Sequence, residues 1–339
     1  MSAEDRLVIL LSSYNGARFI AEQVESIRRQ TLADWILLVR DDGSSDETLR
    51  ILQSLAAAEP RIVLLRDGRG NLGPAQSFGA LMEAALDTGA GYVAFADQDD
   101  VWHPDKLDHQ MKTLRTRETS VGRSVPLLVH SDLSVVDDEL RLIHPSFLSF
   151  QGLGQDRGAP LQMLLAQNFV TGCTTVINRA LLRAALPLPD VVMHDWWLAL
   201  CAAALGQLLC HPSATVLYRQ HGRNAAGGRW WMRASLDAAL HPVRWWRGSL
   251  TAFSATVAQA CALACRVERE SPSGASLPTL RAYCRAFSTG TGALQRMRSA
   301  KSWVQTTWCG RVRQHVGVHD VERAHKKLDT LLQGRADDR

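Results

Sequence analysis

The chain has 339 residues, of which 46% are hydrophobic and 21% are charged. This composition excludes collagen, coiled coils and wholesale disorder, and the length predicts one large domain or two smaller ones. The formal net charge of +4 is unevenly distributed, because residues 1–221 hold 19 Lys and Arg against 26 Asp and Glu, whereas residues 222–339 hold 19 against 8. The basic C-terminal part also contains six of the ten Trp, a pattern that indicates an anionic partner.

The seven cysteines include no C-x-x-C pair, which favours reduced and mostly buried thiols over a disulfide framework or a zinc ribbon. The N-terminus lacks the basic and apolar segments of a signal peptide, and the longest apolar run, 196–205, is too short to span a bilayer. We therefore expect a cytoplasmic protein.

The first hundred residues alternate between strand and helix patterns. Apolar runs predict strands and amphipathic spacing predicts the helices between them. The predicted strands are 7–11, 35–39, 62–65 and 92–96, and the predicted helices include 19–30, a segment around 51–55, and 78–86. This order implies an α/β fold with a mostly parallel sheet, helices on both faces and ligands at the carboxyl ends of the strands.

The pattern is looser after residue 100. We expect a helix over 107–114, a buried helix over 193–205, and helical, basic sequence from about 224 onward. Further strands are predicted at 127–130, 170–177 and 216–219.

Polar residues follow three of the four early strands, at 12–16, 40–46 and 97–100. Tyr14 can stack on a base, and Asp42 can accept hydrogen bonds from a pyrimidine N–H or a ribose hydroxyl. Three carboxylates within 97–100 repel one another unless a cation is bound, and hard oxygen ligands suit Mg²⁺ or Mn²⁺. A solvated acidic loop is the alternative, although the cluster directly follows an apolar strand.

The segment Gly68-Arg69-Gly70-Asn71-Leu72-Gly73 matches G-x-G-x-x-G between a strand and a helix, and Asp97 lies where a ribose-binding acid would be expected. A dinucleotide-binding dehydrogenase is therefore an alternative. That fingerprint belongs to the first strand–helix turn, however, and here it occupies the third, so glycines that shape a loop are the favoured interpretation.

Together the motifs Leu10–Gly16, Arg40–Asp46 and Asp97-Gln98-Asp99 make residues 6–222 resemble a family-2 glycosyltransferase of the GT-A fold. The resemblance implies an inverting transfer of sugar from a nucleotide-diphosphate sugar. It implies nucleotide contacts by Ser12, Tyr14, Asn15, Asp42, Asn71 and Asp97. It also implies that Asp97 and Asp99 hold the diphosphate through a divalent metal.

The same resemblance implies a general base at a downstream helix start, where this chain has His194-Asp195-Trp196-Trp197. Asp195 stands at the second acid of the family's Glu-Asp pair, and His194 replaces the first. A wall formed by Trp196 or Trp197 would raise the pKa of Asp195 by desolvation. The alternative is that Asp195 only favours a helix N-terminus electrostatically.

Four further residues are weaker candidates, and one of them is Trp196, for the diphosphate or acceptor site. Arg219 or His221 could contact the diphosphate, and His221 could complete the metal shell as a neutral imidazole. A structural histidine is the equal alternative. Gly172 lies in a turn that lines the acceptor site in the family.

A narrower resemblance, carried by Asp97–Trp102, His194–Trp197 and Tyr218–His221, is to the bacterial rhamnosyltransferase branch. It favours dTDP-L-rhamnose as donor and a lipid-linked glycan of cell-surface polysaccharide or O-antigen as acceptor. A UDP-sugar donor is one alternative, and a non-catalytic, sugar-nucleotide-binding scaffold subunit is an alternative of another class.

We predict a catalytic domain over 1–222 and a basic, mainly helical region over 223–339. In that region, Arg229–Arg233 and Arg244–Arg247 each enclose a Trp pair between arginines, a composition that suits a membrane interface. Docking of these Trp onto the catalytic domain is the alternative, and no nucleic-acid-binding motif accompanies them. We therefore expect peripheral contact with the inner face of the cytoplasmic membrane.

Overall fold

The computed structural model describes residues 5–150, 159–221 and 242–287, with side chains in the last range from residue 254 onward. One mixed sheet of nine strands organises this part of the chain. Its strands are β1 (Leu7–Ser13), β2 (Trp35–Asp41), β3 (Ile62–Leu64), β4 (Tyr92–Ala96), β5 (Val101–Trp102), β6 (Leu127–Val136), β7 (Leu142–His144), β8 (Thr175–Asn178) and β9 (Gln207–Arg219).

The helices connect these strands and cover both faces of the sheet. They are α1 (Ile20–Arg28), α2 (Thr48–Ala58), α3 (Gly73–Asp87), α4 (Lys106–Val121), α5 (Phe147–Phe150), α6 (Pro160–Ala166), α7 (Arg179–Ala185), α8 (His194–Leu205), α9 (Pro242–Glu270) and α10 (Leu277–Phe287).

The first four long strands are parallel, in the spatial order β3-β2-β1-β4. Strand β1 is central among them, and its apolar run Leu7–Leu11 is buried because helices cover both of its sides. This arrangement confirms the predicted parallel half of the sheet. It also brings the carboxyl ends of β1, β2 and β4 to one edge.

The second half of the sheet departs from the prediction of a mostly parallel arrangement. Strand β8 runs antiparallel to β4 and β6, and β5 runs antiparallel to β9. Strand β9 extends well beyond the predicted 216–219, with a register shift around Pro212, which has no N–H to give to a ladder.

The predicted strand 170–177 is also wrong in its first part. Residues Gly172–Thr174 form a 3₁₀ turn, and β8 begins only at Thr175. The apolar residues of this segment are buried, but its first part is a turn, and sequence periodicity does not distinguish a short buried turn from a strand.

Helix α8 is buried along most of its length, as its apolar sequence predicts. Helix α9 packs beside it. The guanidinium of Arg266 donates to the carbonyl oxygens of Ala184 (2.7 Å) and Pro187 (2.7 Å), and Leu263 and Val267 are fully buried. The compact unit therefore continues past residue 222 to Arg281. Within the described helices, none combines the length and apolar character needed to cross a membrane.

Candidate active site

Gln98 joins the ends of β1 and β4. Its side-chain amide accepts from the backbone N–H of Tyr14 (2.9 Å) and donates to the carbonyl of the same residue (3.1 Å). A Cβ at Gly16 would lie 2.2 Å from Oε1 of Gln98, so a larger residue there would displace the amide that binds Tyr14. The Tyr14 ring is 51% exposed above the joint and is available to stack on a planar ligand.

Asn15 ties the first loop to the second. Its backbone N–H donates to the hydroxyl of Ser44 (2.9 Å), and its side-chain oxygen accepts from the N–H of Ser45 (2.8 Å). Asn15 has a φ of 51°, a left-handed conformation that asparagine tolerates better than most residues. Asn15 therefore links the loop after β1 to the loop after β2, next to Tyr14.

Asp42 is 2% exposed, and hydrogen bonds hold both of its carboxylate oxygens. Oδ1 accepts from the N–H of Leu72 (2.8 Å), and Oδ2 accepts from the N–H of Gly73 (2.9 Å). Asn71 donates to the Asp42 carbonyl at 2.7 Å. The glycine-rich segment thus presents the N-terminus of α3 to a carboxylate of the chain itself, where a dinucleotide-binding loop presents it to a pyrophosphate. This finding argues against the dehydrogenase alternative.

Arg40 neutralises this carboxylate from the other side. Its fully buried guanidinium contacts Asp42, donates to Asp67 at 2.8 Å and donates to the carbonyl of Gly70 at 2.7 Å. Sequence analysis assigned no role to Arg40. Ser77 of α3 donates or accepts at 2.7 Å with the predicted nucleotide residue Ser12, which links the same helix to β1.

A crowded carboxylate group lies at the end of β4. Burial, followed by the negative charges of Asp99 and Asp195, raises the pKa of Asp97 to about 7, against a hydrogen bond with the thiol of Cys173. One ligand atom each of Asp97, Asp100 and Cys173 lies within 4.8 Å of the others. Burial also raises the Cys173 pKa, so the thiol stays protonated.

Asp99 points to a second partner. Its Oδ2 lies 2.7 Å from Nε2 of His221, and the His221 ring stacks on Phe19 with centroids 5.2 Å apart. The three predicted metal ligands are therefore placed as Asp97 in the buried cluster and Asp99 with His221 at its side.

Asp195 lies in the first turn of α8 and is 8% exposed. Its Oδ1 accepts from Asn168 (3.2 Å) and from the N–H of Trp196 (2.6 Å), and its Oδ2 accepts from the N–H of Gly172 (3.0 Å). Burial raises the pKa of Asp195 to about 6, although these hydrogen bonds oppose the shift. The group is therefore largely ionised at neutral pH yet basic enough to accept a proton.

His194 has no such polar role. Its ring stacks on Phe78 at 3.9 Å and lies 5.3 Å from Phe95, and neither ring nitrogen has a hydrogen-bond partner among the described residues. Burial lowers its pKa to about 3, so it is neutral. His194 is therefore a neutral packing residue in this structure.

The two tryptophans differ. Trp196 is partly buried and donates from its indole to the Leu164 carbonyl of α6 at 2.7 Å. Trp197 is fully buried, donates to the Ala185 carbonyl at 2.9 Å and lies under the Arg266 guanidinium. Trp196 is thus the nearer neighbour of Asp195 along the helix, and Trp197 belongs to the core.

The Arg219 guanidinium is bound by several groups of the fold. It contacts the carbonyl of Asp138, donates to the carbonyl of Asp99 at 2.9 Å and pairs with Glu22 at 2.5 Å. The buried side chain ties β9 to neighbouring segments through these contacts, and a diphosphate contact by Arg219 stays a prediction. A basic residue after a strand does not reveal whether its partners come from a ligand or from the fold.

Sequence analysis missed several residues that shape this site. Asn168 and Gln98 hold Asp195 and Tyr14, and Cys173 contacts the acidic cluster. Gln98 lies inside a recognised motif and Asn168 four residues before Gly172, so their positions were visible. Their partners were not, because those partners lie 27 and 84 residues away along the chain.

Residues 8–139 match the family model described as glycosyl transferase family 2. This match covers less than half of the chain. The chain is 24% identical over 260 residues to the dTDP-rhamnosyl transferase RfbG of Shigella flexneri, with 73% of this chain and 84% of that protein covered. It is 28% identical over 197 residues to the UDP-Glc:alpha-D-GlcNAc-diphosphoundecaprenol beta-1,3-glucosyltransferase WfgD of Escherichia coli, with 58% and 69% covered.

Across three of the curated relatives, RfbG among them, the chain spans 58 to 84% of the relative's length, and less than two thirds in two of the three cases. A crystal structure of S. aureus TarS 1-349 in complex with UDP-GlcNAc matches with a TM-score of 0.51 at 13% identity, covering 88% of this chain and 81% of that one. The predicted GT-A fold of the family 2 glycosyltransferases is thereby confirmed.

Proposed function

We propose that this protein is an inverting family 2 glycosyltransferase that moves a sugar from a nucleotide-diphosphate sugar to a lipid-linked glycan of a bacterial cell-surface polysaccharide. One observation carries the proposal. A buried, hydrogen-bonded carboxylate, Asp195, stands beside the aspartates that follow β4, with a pKa raised to about 6. A base and an acidic, cation-seeking group close together are what a displacement at an anomeric carbon requires.

In the proposed reaction, Asp195 removes the proton from an acceptor hydroxyl while that oxygen attacks the anomeric carbon in line. The bond from that carbon to the diphosphate oxygen breaks, the nucleoside diphosphate leaves, and the configuration inverts. The N–H of Gly172 and the amide of Asn168 hold the carboxylate. Each of its oxygens has two lone pairs, so Oδ2 can still accept the proton from the acceptor.

We assign Mg²⁺ or Mn²⁺ to Asp97 and Asp99, with His221 as a further ligand. The residues fit a divalent cation because the carboxylates that raise the pKa of Asp97 repel one another, and a cation would relieve that repulsion. The Cys173 thiol is not assigned, since it is protonated and hard cations prefer oxygen. When bound, the cation would neutralise charge on the departing diphosphate.

For the nucleotide we retain Ser12, Tyr14, Asn15, Asp42, Asn71 and Asp97. The exposed Tyr14 ring supports base stacking. Asp42 holds the 71–73 segment that would border the base, so its contribution is made partly through the backbone of that segment.

The donor sugar is the finer part of the proposal. The match to RfbG, named as a dTDP-rhamnosyl transferase, supports dTDP-L-rhamnose. The match to WfgD, named for UDP-Glc and a diphosphoundecaprenol-linked GlcNAc, supports a UDP-sugar as the second candidate and a lipid-linked acceptor for either.

A donor screen tests the proposal. Full-length protein is heated with dTDP-rhamnose, UDP-glucose, UDP-GlcNAc or GDP-mannose in the presence of Mn²⁺. The true donor at 100 times its Kd would stabilise the fold by about 2.7 kcal/mol. Asp97→Asn should lose this shift, whereas Asp87→Asn, an exposed change at the end of α3, should keep it. Absence of a shift with every donor, together with absence of transfer, would contradict the proposal.

We further propose that the C-terminal region contacts the inner face of the cytoplasmic membrane. Its net charge and its Trp–Arg motifs support this. Arg229–Arg233 lies outside the described residues, and Arg244–Arg247 lies within α9. Sedimentation with phosphatidylglycerol vesicles, compared with phosphatidylcholine vesicles, tests the contact. Changing both Trp230 and Trp231 to Ala should reduce binding, and unchanged binding would contradict this part of the proposal.

A further inference from the structure

The 3₁₀ turn Gly172–Thr174 lies between the two carboxylates that the proposed reaction uses. The N–H of Gly172 donates to Oδ2 of Asp195 at 3.0 Å. The next residue, Cys173, places its sulfur within 4.8 Å of carboxylate oxygens of Asp97 and Asp100. The N–H that binds Asp195 and the thiol that lies beside the acidic cluster therefore belong to consecutive residues, Gly172 and Cys173.

The turn is also held from behind. Gln110 of α4 donates to the carbonyl of Thr174 at 2.5 Å, and the amide oxygen of Gln110 accepts from the buried ammonium of Lys106 at 2.7 Å. Inside the turn, the Thr175 hydroxyl donates to the Gly172 carbonyl at 2.8 Å. A turn with this many bonds has little freedom to shift toward either carboxylate.

We propose that Cys173 is a positioning residue: its sulfur, within 4.8 Å of carboxylate oxygens of Asp97 and Asp100, keeps these two side chains in the arrangement that accepts the divalent cation. Because Gly172 holds Asp195 from the same turn, the turn sets the separation between the base and the leaving-group end of the site. Reaction rates fall steeply when reacting groups are misplaced by about 1 Å, which is why a fixed separation matters. This inference rests on the proposed function.

The chain offers a matched control for a buried cysteine. Cys201 of α8 is as fully buried as Cys173, and its charged neighbours are Arg266 and Glu270, not the acidic cluster. Shortening either side chain to Ala removes the same sulfur from a packed interior. Only the change at Cys173 removes a group from the aspartates.

The test uses full-length Cys173→Ala, Cys173→Ser and Cys201→Ala proteins. Mn²⁺ affinity is measured by electron paramagnetic resonance without donor, and kcat, donor KM and Tm are measured in parallel. We expect Cys173→Ala to weaken Mn²⁺ binding and to lower kcat, each by about tenfold, which corresponds to about 1.4 kcal/mol. Cys173→Ser keeps a donor in place and should recover most of both. Cys201→Ala should lower Tm alone.

Wild-type Mn²⁺ affinity and turnover in Cys173→Ala would overturn the inference, and so would equal losses in the Ala and Ser variants. An equal loss of Mn²⁺ affinity in Cys201→Ala would overturn it as well, because packing alone would then explain the effect. If the wild-type protein binds Mn²⁺ but transfers no sugar from any donor, the proposed function fails, and the inference is then decided by Mn²⁺ affinity alone.

Discussion

The ends of β2 and β4, on either side of β1, use aspartates in opposite ways. Asp42 at the end of β2 is saturated, with Arg40 on one side and two backbone N–H groups on the other. Asp97 and Asp100 at the end of β4 face other carboxylates, and burial and like charge raise the pKa of both. The carboxylate of Asp42 is neutralised by these partners, whereas the carboxylates after β4 repel one another.

The contrast shows why an acidic motif alone does not define a metal site. Both strand ends are rich in aspartate, but Arg40 pairs directly with Asp42, whereas at the end of β4 Asp97 and Asp100 stay beside carboxylates of like charge, although Asp100 accepts from the N–H of Arg219 and Asp99 contacts His221. Carboxylates held close together in this way have an electrostatic requirement that a cation and a diphosphate can meet. Substitutions in the two regions should therefore differ in their effects on turnover and on stability.

Asp195→Asn tests the proposed general base most directly. The change keeps the shape of the side chain but removes its ability to accept a proton, and general-base catalysis typically contributes about 10²- to 10⁴-fold to the rate. We expect kcat to fall by that range while thermal stabilisation by the donor persists. The control is Asp190→Asn, an exposed aspartate shortly before α8, which should retain wild-type kcat. Near-normal turnover in Asp195→Asn would refute the base assignment.

Arg40→Met tests the buried ion pair between Arg40 and Asp42. The change leaves buried Asp42 without its guanidinium, and loss of one partner of a buried ion pair typically costs about 3–5 kcal/mol. Urea unfolding should show a loss of this size. Arg66→Met, at an exposed position in the loop after β3, should change stability by less than about 0.5 kcal/mol. A small loss in Arg40→Met would show that Asp42 does not depend on the buried pair.

The pH dependence of turnover should reflect the ionisation of Asp195. Its pKa is raised to about 6, so the base form dominates above pH 6 and is lost as the pH falls through this value. We expect kcat at saturating donor and Mn²⁺ to fall about tenfold per pH unit below 6. Saturating Mn²⁺ keeps Asp97 ionised, which separates the two titrations. A flat profile from pH 7 to pH 5 would exclude Asp195 as the titrating base.

His194→Leu should have the smallest effect at neutral pH. The His194 imidazole is packed between aromatic rings and neutral, so kcat should stay within about threefold of wild type. Its pKa is lowered to about 3 in the folded state, so the unfolded chain binds the additional proton and stability is lost as the pH falls below about 6.5. Unfolding measured at pH 7 and pH 5 should show a smaller acid-induced loss in the variant. A large loss of kcat would give His194 a chemical role.

Much of the site was visible in the sequence because parallel strands bring their carboxyl ends together. Tyr14, Asp42 and Asp97 were predicted from this rule, and the structure places them at one edge of the sheet. The partners of Arg219 within the fold were not visible in this way. Glu22, which pairs with it, is almost two hundred residues away in the chain.

The sequence by itself determined the order of the early strands and helices, the acidic strand ends and the position of Asp195 at a helix start, because these depend on local periodicity and short motifs. Only the tertiary structure decided which aspartates are satisfied and which are crowded, and that Gly172 and Cys173 connect the base to the acidic cluster. Those properties depend on burial and on hydrogen-bond partners from distant segments, and no local pattern records either.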